Sequence, residues 1–170
     1  MLGHPAVRYL ILLVSAVVFQ RAVCVQFDLG GTTPDVLLVL AIAAGIVGGT
    51  ERGAVVGFCA GLALDSISVT PFGLGAVAYM GAGALAGWIE GTVVHSARWL
   101  TMAVAFVASA LGVAAFATIG SVLGQGQMLS DHLLRVVLVV SIWSTVLVIP
   151  MTRVCRWAET YSDRFRPAMR

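Results

Sequence analysis

Ionisable side chains are scarce in this 170-residue chain, and those that border its apolar segments are the first candidates for chemistry. Asp65 ends a glycine-rich apolar stretch, Asp35 precedes another, and Arg21 lies near the end of a third. A carboxylate in an apolar membrane segment is costly and typically marks a functional site. Asp65 therefore has two interpretations: contact with a ligand or ion, or a structural buttress at a helix end.

Other chemical motifs are rejected on context. GLGAVA at Gly73–Ala78 and GAGALA at Gly81–Ala86 both match a dinucleotide-binding pattern, but they lie in one apolar segment without the strand that such a loop follows. Cys24, Cys59 and Cys155 are scattered and have no metal-ligand spacing. The sequence predicts no metal, no cofactor, no nucleic-acid partner and no catalytic pair.

The composition indicates an all-α polytopic membrane protein. Hydrophobic residues make up 59% of the chain and charged residues 11%, whereas a soluble domain carries about 25% charged residues. Six apolar segments predict six transmembrane helices within one membrane domain over 1–152, followed by a basic cytoplasmic tail over 153–170. The segments lie near 9–25, 34–49, 53–66, 72–91, 99–123 and 133–152.

The arginines predict the orientation, since positive charge favours the cytoplasmic side of a membrane. With the N-terminus inside, Arg21 and Arg135 fall outside, and both termini are cytoplasmic. The other arginines are cytoplasmic: Arg8, Arg52, Arg98, Arg153, Arg156, Arg164, Arg166 and Arg170. In the tail, we expect contact with anionic lipids, with docking of a cytoplasmic partner as the alternative; the arginines concerned are Arg153, Arg156, Arg164 and Arg166.

Two polar features lie close to predicted helix ends. Arg21 follows Arg8 by thirteen residues, a rise of about 20 Å on a helix, so it lies in the outer part of the bilayer. It either reaches the outer headgroups or forms an ion pair with Asp35 or Asp65. The stretch before the second segment predicts a helix start, with Thr33 as the cap, Pro34 in the first turn and Asp35 near the positive end of the helix, a structural role that we favour for Asp35.

Glycines recur every fourth residue in two successive segments. The third segment carries Gly53, Gly57 and Gly61 before Asp65, and the fourth carries Gly75, Tyr79, Gly83, Gly87 and Gly91. Such rows let two helix backbones approach closely in a membrane. For antiparallel neighbours joined by a short loop near Phe72, we predict that Gly53 lies opposite Gly91, Gly57 opposite Gly87 and Gly61 opposite Gly83. The series then places the Tyr79 hydroxyl within reach of Asp65.

A sparse, ordered set of residues runs through the second to fourth segments: Pro34, Asp35, Gly57, Phe58, Gly61, Leu62, Asp65 and Gly73. On a six-segment chain of this size, the set resembles the rod shape-determining protein MreD family. The specific part of the resemblance covers roughly Pro34–Gly87.

The resemblance implies a non-enzymatic scaffold of the bacterial elongation machinery in the cytoplasmic (inner) membrane, which organises peptidoglycan synthesis and maintains cell shape. Its partners would be an MreC-like bitopic protein, a RodA-like glycan polymerase, a class B penicillin-binding transpeptidase and MreB-like filaments. The implied fold is similar to the six-helix substrate-binding subunits of energy-coupling vitamin importers. That likeness leaves an alternative function, capture of a vitamin-like molecule. A third, an isomerase or transferase acting on lipid, would need a catalytic pair.

Overall fold

Six helices make up the regular structure of the residues that the computed structural model describes, which are 5–22, 34–68, 72–92, 98–122 and 133–159. They are α1 (Pro5–Ala22), α2 (Val36–Gly48), α3 (Thr50–Ile67), α4 (Leu74–Thr92), α5 (Arg98–Val122) and α6 (Leu133–Glu159). Each predicted segment corresponds to one helix in chain order, so the all-helical fold class is confirmed. The largest difference is at α6, which continues to Glu159 through the first part of the predicted tail.

Two of the described helices are long and apolar enough to cross a membrane by length and composition, namely Trp99–Val122 and Leu133–Glu159. The apolar helix α2 has 13 residues, which is about 20 Å at 1.5 Å per residue. That length is less than the hydrocarbon core of a bilayer, about 30 Å thick. The topology of six spans therefore stays a prediction.

Helix α2 is the centre of the bundle and packs against each of the other five described helices. Its residues from Val36 to Ile46 are all buried, and Leu37, Leu38 and Leu40 are fully enclosed. A helix with protein on every side needs no polar face. Its burial explains why this segment is apolar throughout although it is short.

The glycine rows of α3 and α4 pack face to face, as predicted from their spacing. A Cβ atom at Gly53 would overlap the backbone carbonyl of Gly83, and one at Gly61 would overlap the carbonyl of Gly75. Because apolar burial drives helix association only weakly in lipid, close backbone contact between small residues is a main source of attraction there. The α3–α4 pair is the most extensive helix contact of the described bundle.

The predicted register of this helix pair is wrong by eight positions. Gly53 lies opposite Gly83 instead of Gly91, and Gly61 lies opposite Gly75 instead of Gly83. A shift of eight residues moves α4 along α3 by about 12 Å. Because eight is twice the spacing of the glycines, each glycine of α3 still lies against a residue of the α4 row. Gly91 has no atom within 4 Å of its Cβ position and takes no part in the contact.

A third glycine face, which the sequence analysis did not find, lies on α2. A Cβ atom at Gly45 would overlap the carbonyl of Gly83 on α4. Gly87 packs against the turn at Gly49 instead of against Gly57. Gly49 has a φ of 83°, a left-handed conformation that glycine adopts without steric cost, so α2 passes into α3 through a single residue.

Replacing Gly57 by alanine should destabilise the bundle. The added Cβ would overlap the backbone carbonyl of Tyr79, and backbone cannot move aside as a flexible side chain can. We expect a loss of about 1–3 kcal/mol in the free energy of unfolding, the usual cost of overpacking. Thermal unfolding of the purified protein in one detergent measures the change.

Gly81→Ala is the matched control. Gly81 also lies within α4, but nothing lies within 4 Å of its Cβ position, and alanine has a higher helix propensity than glycine. This variant should be as stable as the parent or more stable. Equal unfolding temperatures for Gly57→Ala and Gly81→Ala would contradict the close helix contact.

Candidate functional site

Asp65 belongs to α3 but caps the start of α4. Its side chain is buried (4% exposed), and Oδ1 accepts a hydrogen bond from the backbone N–H of Gly75 at 3.0 Å. Oδ2 accepts from the N–H groups of Gly73 at 2.9 Å and Ala76 at 3.3 Å. The first N–H groups of a helix have no partner within the helix, and negative charge is favourable there. This geometry supports the structural interpretation of Asp65.

Two glycines allow the carboxylate to reach this position. Gly73 has a φ of 99°, which side-chain-bearing residues rarely adopt, and it turns the chain into α4. A Cβ atom at Gly75 would lie 2.5 Å from Oδ1 of Asp65. Any larger residue at position 75 would therefore displace the cap.

The Tyr79 hydroxyl donates its hydrogen bond to Oδ2 of Asp35 and not to Asp65, so the predicted Tyr79–Asp65 contact is wrong. Oδ1 of Asp35 accepts from the N–H of Leu38 at 3.1 Å, which makes Asp35 the N-cap of α2. The sequence analysis gave the capping role to Thr33, which lies outside the described residues. Asp35 thus joins the start of α2 to the second turn of α4, and its carboxylate accepts hydrogen bonds from both.

Residues at the end of α1 complete the contacts between helix ends. Gln20 accepts from the N–H of Val36 at 2.8 Å and donates to the carbonyl of Pro34 at 2.9 Å. Arg21 donates from Nη2 to the carbonyl of Ile67, the last residue of α3, at 2.8 Å. Of the two alternatives for Arg21, the structure shows no ion pair with Asp35 or Asp65 among the described residues, and the guanidinium caps the end of α3 instead. A cation near the negative end of a helix is favourable.

We call these side chains the Asp65 cluster: Gln20, Arg21, Asp35, Asp65 and Tyr79. Four helices meet in this cluster. In it, side chains of one helix form hydrogen bonds with the backbone N–H and carbonyl groups at the end of another helix, which have no partner within their own helix. Such partners are needed most where water is scarce, because an unsatisfied backbone group costs several kcal/mol in hydrocarbon. The cluster holds α1, α2, α3 and α4 in one relative position.

A second set of contacts, the Glu159 cluster, lies at the opposite end of the bundle and was missed by the sequence analysis. Glu159 accepts from the hydroxyl of Tyr9 at 2.9 Å and forms an ion pair with Arg52. Arg8 donates to the carbonyl of Trp157 at 2.9 Å, and its guanidinium lies 4.7 Å from the centre of that indole ring. The cluster joins α1, α3 and α6. The sequence signal was weak because Glu159 lies in what reads as a polar tail.

The described residues contain no group of three His, Cys, Asp or Glu side chains that could hold a metal ion. Both clusters join helices to one another through side-chain and backbone hydrogen bonds. These hydrogen bonds fix the positions of the helices relative to one another.

The family model of the rod shape-determining protein MreD matches residues 4–158, nearly the whole chain. The chain belongs to the MreD family. This membership makes it a membrane protein with a role in rod-shape determination. Comparison with curated proteins and with solved structures gives no significant match.

The residues that carried the resemblance divide into three groups in this MreD protein. Asp35, Asp65 and Gly73 belong to the capped helix ends, and Pro34 is buried beside them. The row glycines at 57 and 61 form the α3–α4 contact. Phe58 is 42% exposed on α3, with Leu62 half-buried one turn later. Phe58 is the one member of this set that is exposed.

A double-mutant cycle should show that Tyr79 is coupled to Asp35. Tyr79→Phe leaves a desolvated carboxylate oxygen without its donor, and Asp35→Ala removes the acceptor. We expect a coupling energy of about 0.5–3 kcal/mol, as for other residues in direct contact. Denaturant unfolding of the two single variants and the double variant in mixed micelles measures it.

The control cycle combines Tyr79→Phe with Glu159→Gln, at the other end of the bundle. These changes should be additive within about 0.5 kcal/mol, because the residues share no partner. A stronger coupling of Tyr79 to Asp65 than to Asp35 would overturn the assignment of the hydroxyl.

Proposed function

We propose that this MreD protein is a non-enzymatic scaffold that organises peptidoglycan synthesis during cell elongation. The observation that carries the proposal is the family match over residues 4–158. In the described residues, the carboxylates that the sequence offered for chemistry are engaged as helix caps: Asp35 on α2 and Asp65 on α4. Side chains committed to backbone N–H groups are suited to rigidity and poorly suited to proton transfer.

The architecture supports a scaffold because helices are joined to one another at both ends of the bundle. The Asp65 cluster joins α1, α2, α3 and α4 at one end, and the Glu159 cluster joins α1, α3 and α6 at the other. Between them, α3 and α4 touch through backbone at Gly53 and Gly61. A body held in this way presents a fixed outer surface to partner helices in the membrane.

The proposed direct partner is an MreC-like bitopic protein, and through it a RodA-like polymerase, a class B penicillin-binding transpeptidase and MreB-like filaments. We place the partner helix against the outward face of α3 near Phe58, since Phe58 is one of the residues that carry the resemblance and its aromatic side chain is 42% exposed. Arg153 and Arg156 on α6 are exposed and suited to anionic lipid. Arg164 and Arg166, expected to act with them, lie outside the described residues.

The alternative function, capture of a vitamin-like molecule, would require polar side chains that line a cavity at the outer end. At that end, the described side chains of Asp35 and Tyr79 bind each other, and Asp65 binds backbone. The similarity to importer subunits has no solved-structure match behind it and stays a prediction. We therefore favour the scaffold.

Phe58→Ala should reduce co-purification of the MreC-like partner from cells in mild detergent. Loss of a fully desolvated aromatic anchor typically costs 2 kcal/mol or more, about a thirtyfold loss of affinity. Met80→Ala is the matched control, since Met80 is 39% exposed on α4 and its loss should leave recovery unchanged.

Cells depleted of the protein should lose their rod shape, and the parent gene should restore it. Phe58→Ala should restore it poorly, and Met80→Ala fully. Depleted cells that keep normal shape, or purified protein that alone converts a lipid-linked wall precursor, would refute the scaffold proposal.

The proposed topology has six spans with both termini in the cytoplasm. Its support is the distribution of arginine, and in the structure Arg8, Arg52 and Glu159 meet at one end while Arg21 lies at the other. A reporter that is active only in the cytoplasm should be active when fused after Arg170. Activity only of an externally active reporter at that position would contradict the topology.

A further inference from the structure

A groove of about 480 Å³ lies between α1 and α3. Its walls are largely apolar, and its polar lining comes from Tyr9, Glu51 and Arg52 at the Glu159 end of the bundle. The apolar lining is Ala6, Leu10, Leu13, Val55, Val56 and Cys59. Neither the helix caps nor the glycine contacts account for this groove.

The volume of the groove and the length of its α3 wall indicate what it can hold. Its volume is within the range of about 300–1,000 Å³ that is usual for small-molecule sites. On α3 the wall runs from Glu51 to Cys59, or about 12 Å along the helix axis. An apolar space of this size with charged side chains at one end suits a lipid, whose acyl chain and headgroup match the two parts.

The charges at the polar end are of opposite sign and adjacent in sequence. Arg52 pairs with Glu159 through Nη1, and a guanidinium has five N–H donors, so donors remain on its other nitrogens. Glu51 is exposed and lines the same end. A phosphate would be attracted to Arg52 and an ammonium group to Glu51. A headgroup that carries both groups complements the pair better than one with negative charge alone.

We propose that the α1–α3 groove binds one phospholipid whose headgroup carries a phosphate and a primary ammonium, as in phosphatidylethanolamine. One acyl chain lies along Leu10, Leu13 and Val55, the phosphate contacts Arg52, and the ammonium contacts Glu51. This proposal depends on the membrane location of the family and does not require a protein partner. Its polar end lies beside Arg8 and Trp157, whose cation and indole are side chains typical of the headgroup region.

Native mass spectrometry of the purified full chain tests the proposal, with phosphatidylethanolamine and phosphatidylglycerol of identical acyl chains as probes. The parent should bind one phosphatidylethanolamine and prefer it over phosphatidylglycerol. Glu51→Gln should reduce that preference about three- to fivefold, the value of one partly exposed ion pair. Free phosphoethanolamine should not displace the lipid, because it cannot fill the apolar part.

Val55→Trp fills the groove and should weaken lipid binding at least about tenfold, equivalent to 1.4 kcal/mol. Val77→Trp is its control, because the two valines are similarly exposed, Val55 at 64% on α3 and Val77 at 50% on α4. Unlike Val55, Val77 does not line the groove. Glu51→Gln preserves side-chain size, so it tests the site even if Val55→Trp fails to fold.

Three outcomes would overturn the proposal: no discrete one-lipid adduct, an unchanged lipid preference in Glu51→Gln, or equal loss of binding in the two tryptophan variants. The first is also the result expected of a groove that takes a protein helix. Binding is measured on purified protein, so its failure would leave the scaffold proposal standing. Conversely, loss of partner recovery in Phe58→Ala would not alter lipid binding.

Discussion

The structure depends on the need of helix ends for hydrogen-bond partners where water is scarce. Water satisfies the first N–H groups and last carbonyls of a helix at a soluble surface, but near a bilayer core the protein must supply the partners. Asp65 does so for α4, Gln20 for the start of α2 and Arg21 for the end of α3. Because each partner comes from another helix, satisfying the backbone also fixes the relative positions of the helices.

Close backbone contact is the second requirement, and it follows from the first. Once Asp65 holds the first turn of α4, the two helices must run side by side at a set depth, and only glycine at Gly61 and Gly75 leaves room for that approach. The same contact extends to Gly45, which brings α2 against both helices. A short apolar helix can therefore occupy the centre of a membrane bundle without meeting lipid.

These two features connect the fold to its role in cell shape. Carboxylates within membrane proteins often move protons or bind ions, but the oxygens of Asp35 and Asp65 are occupied by backbone N–H groups and a tyrosine hydroxyl. What varies over the outside of the bundle is the surface: an exposed aromatic at Phe58 and a groove between α1 and α3. A rigid interior with distinct outer surfaces supports the proposed scaffold function.

The sequence by itself determined the helical fold class, the number and order of the described helices, the family, and the fact that the glycine rows of α3 and α4 face each other. These follow from apolar segment length and a period of four, which are local properties. The register was decided only in the tertiary structure, because a period of four is unchanged by a slide of eight residues, and the cap from Asp65 selects one slide. The partner of Tyr79 was also decided only in the tertiary structure. Equal depth in the membrane does not specify how each helix is rotated about its axis, and the hydroxyl of Tyr79 donates to Asp35 at the start of α2.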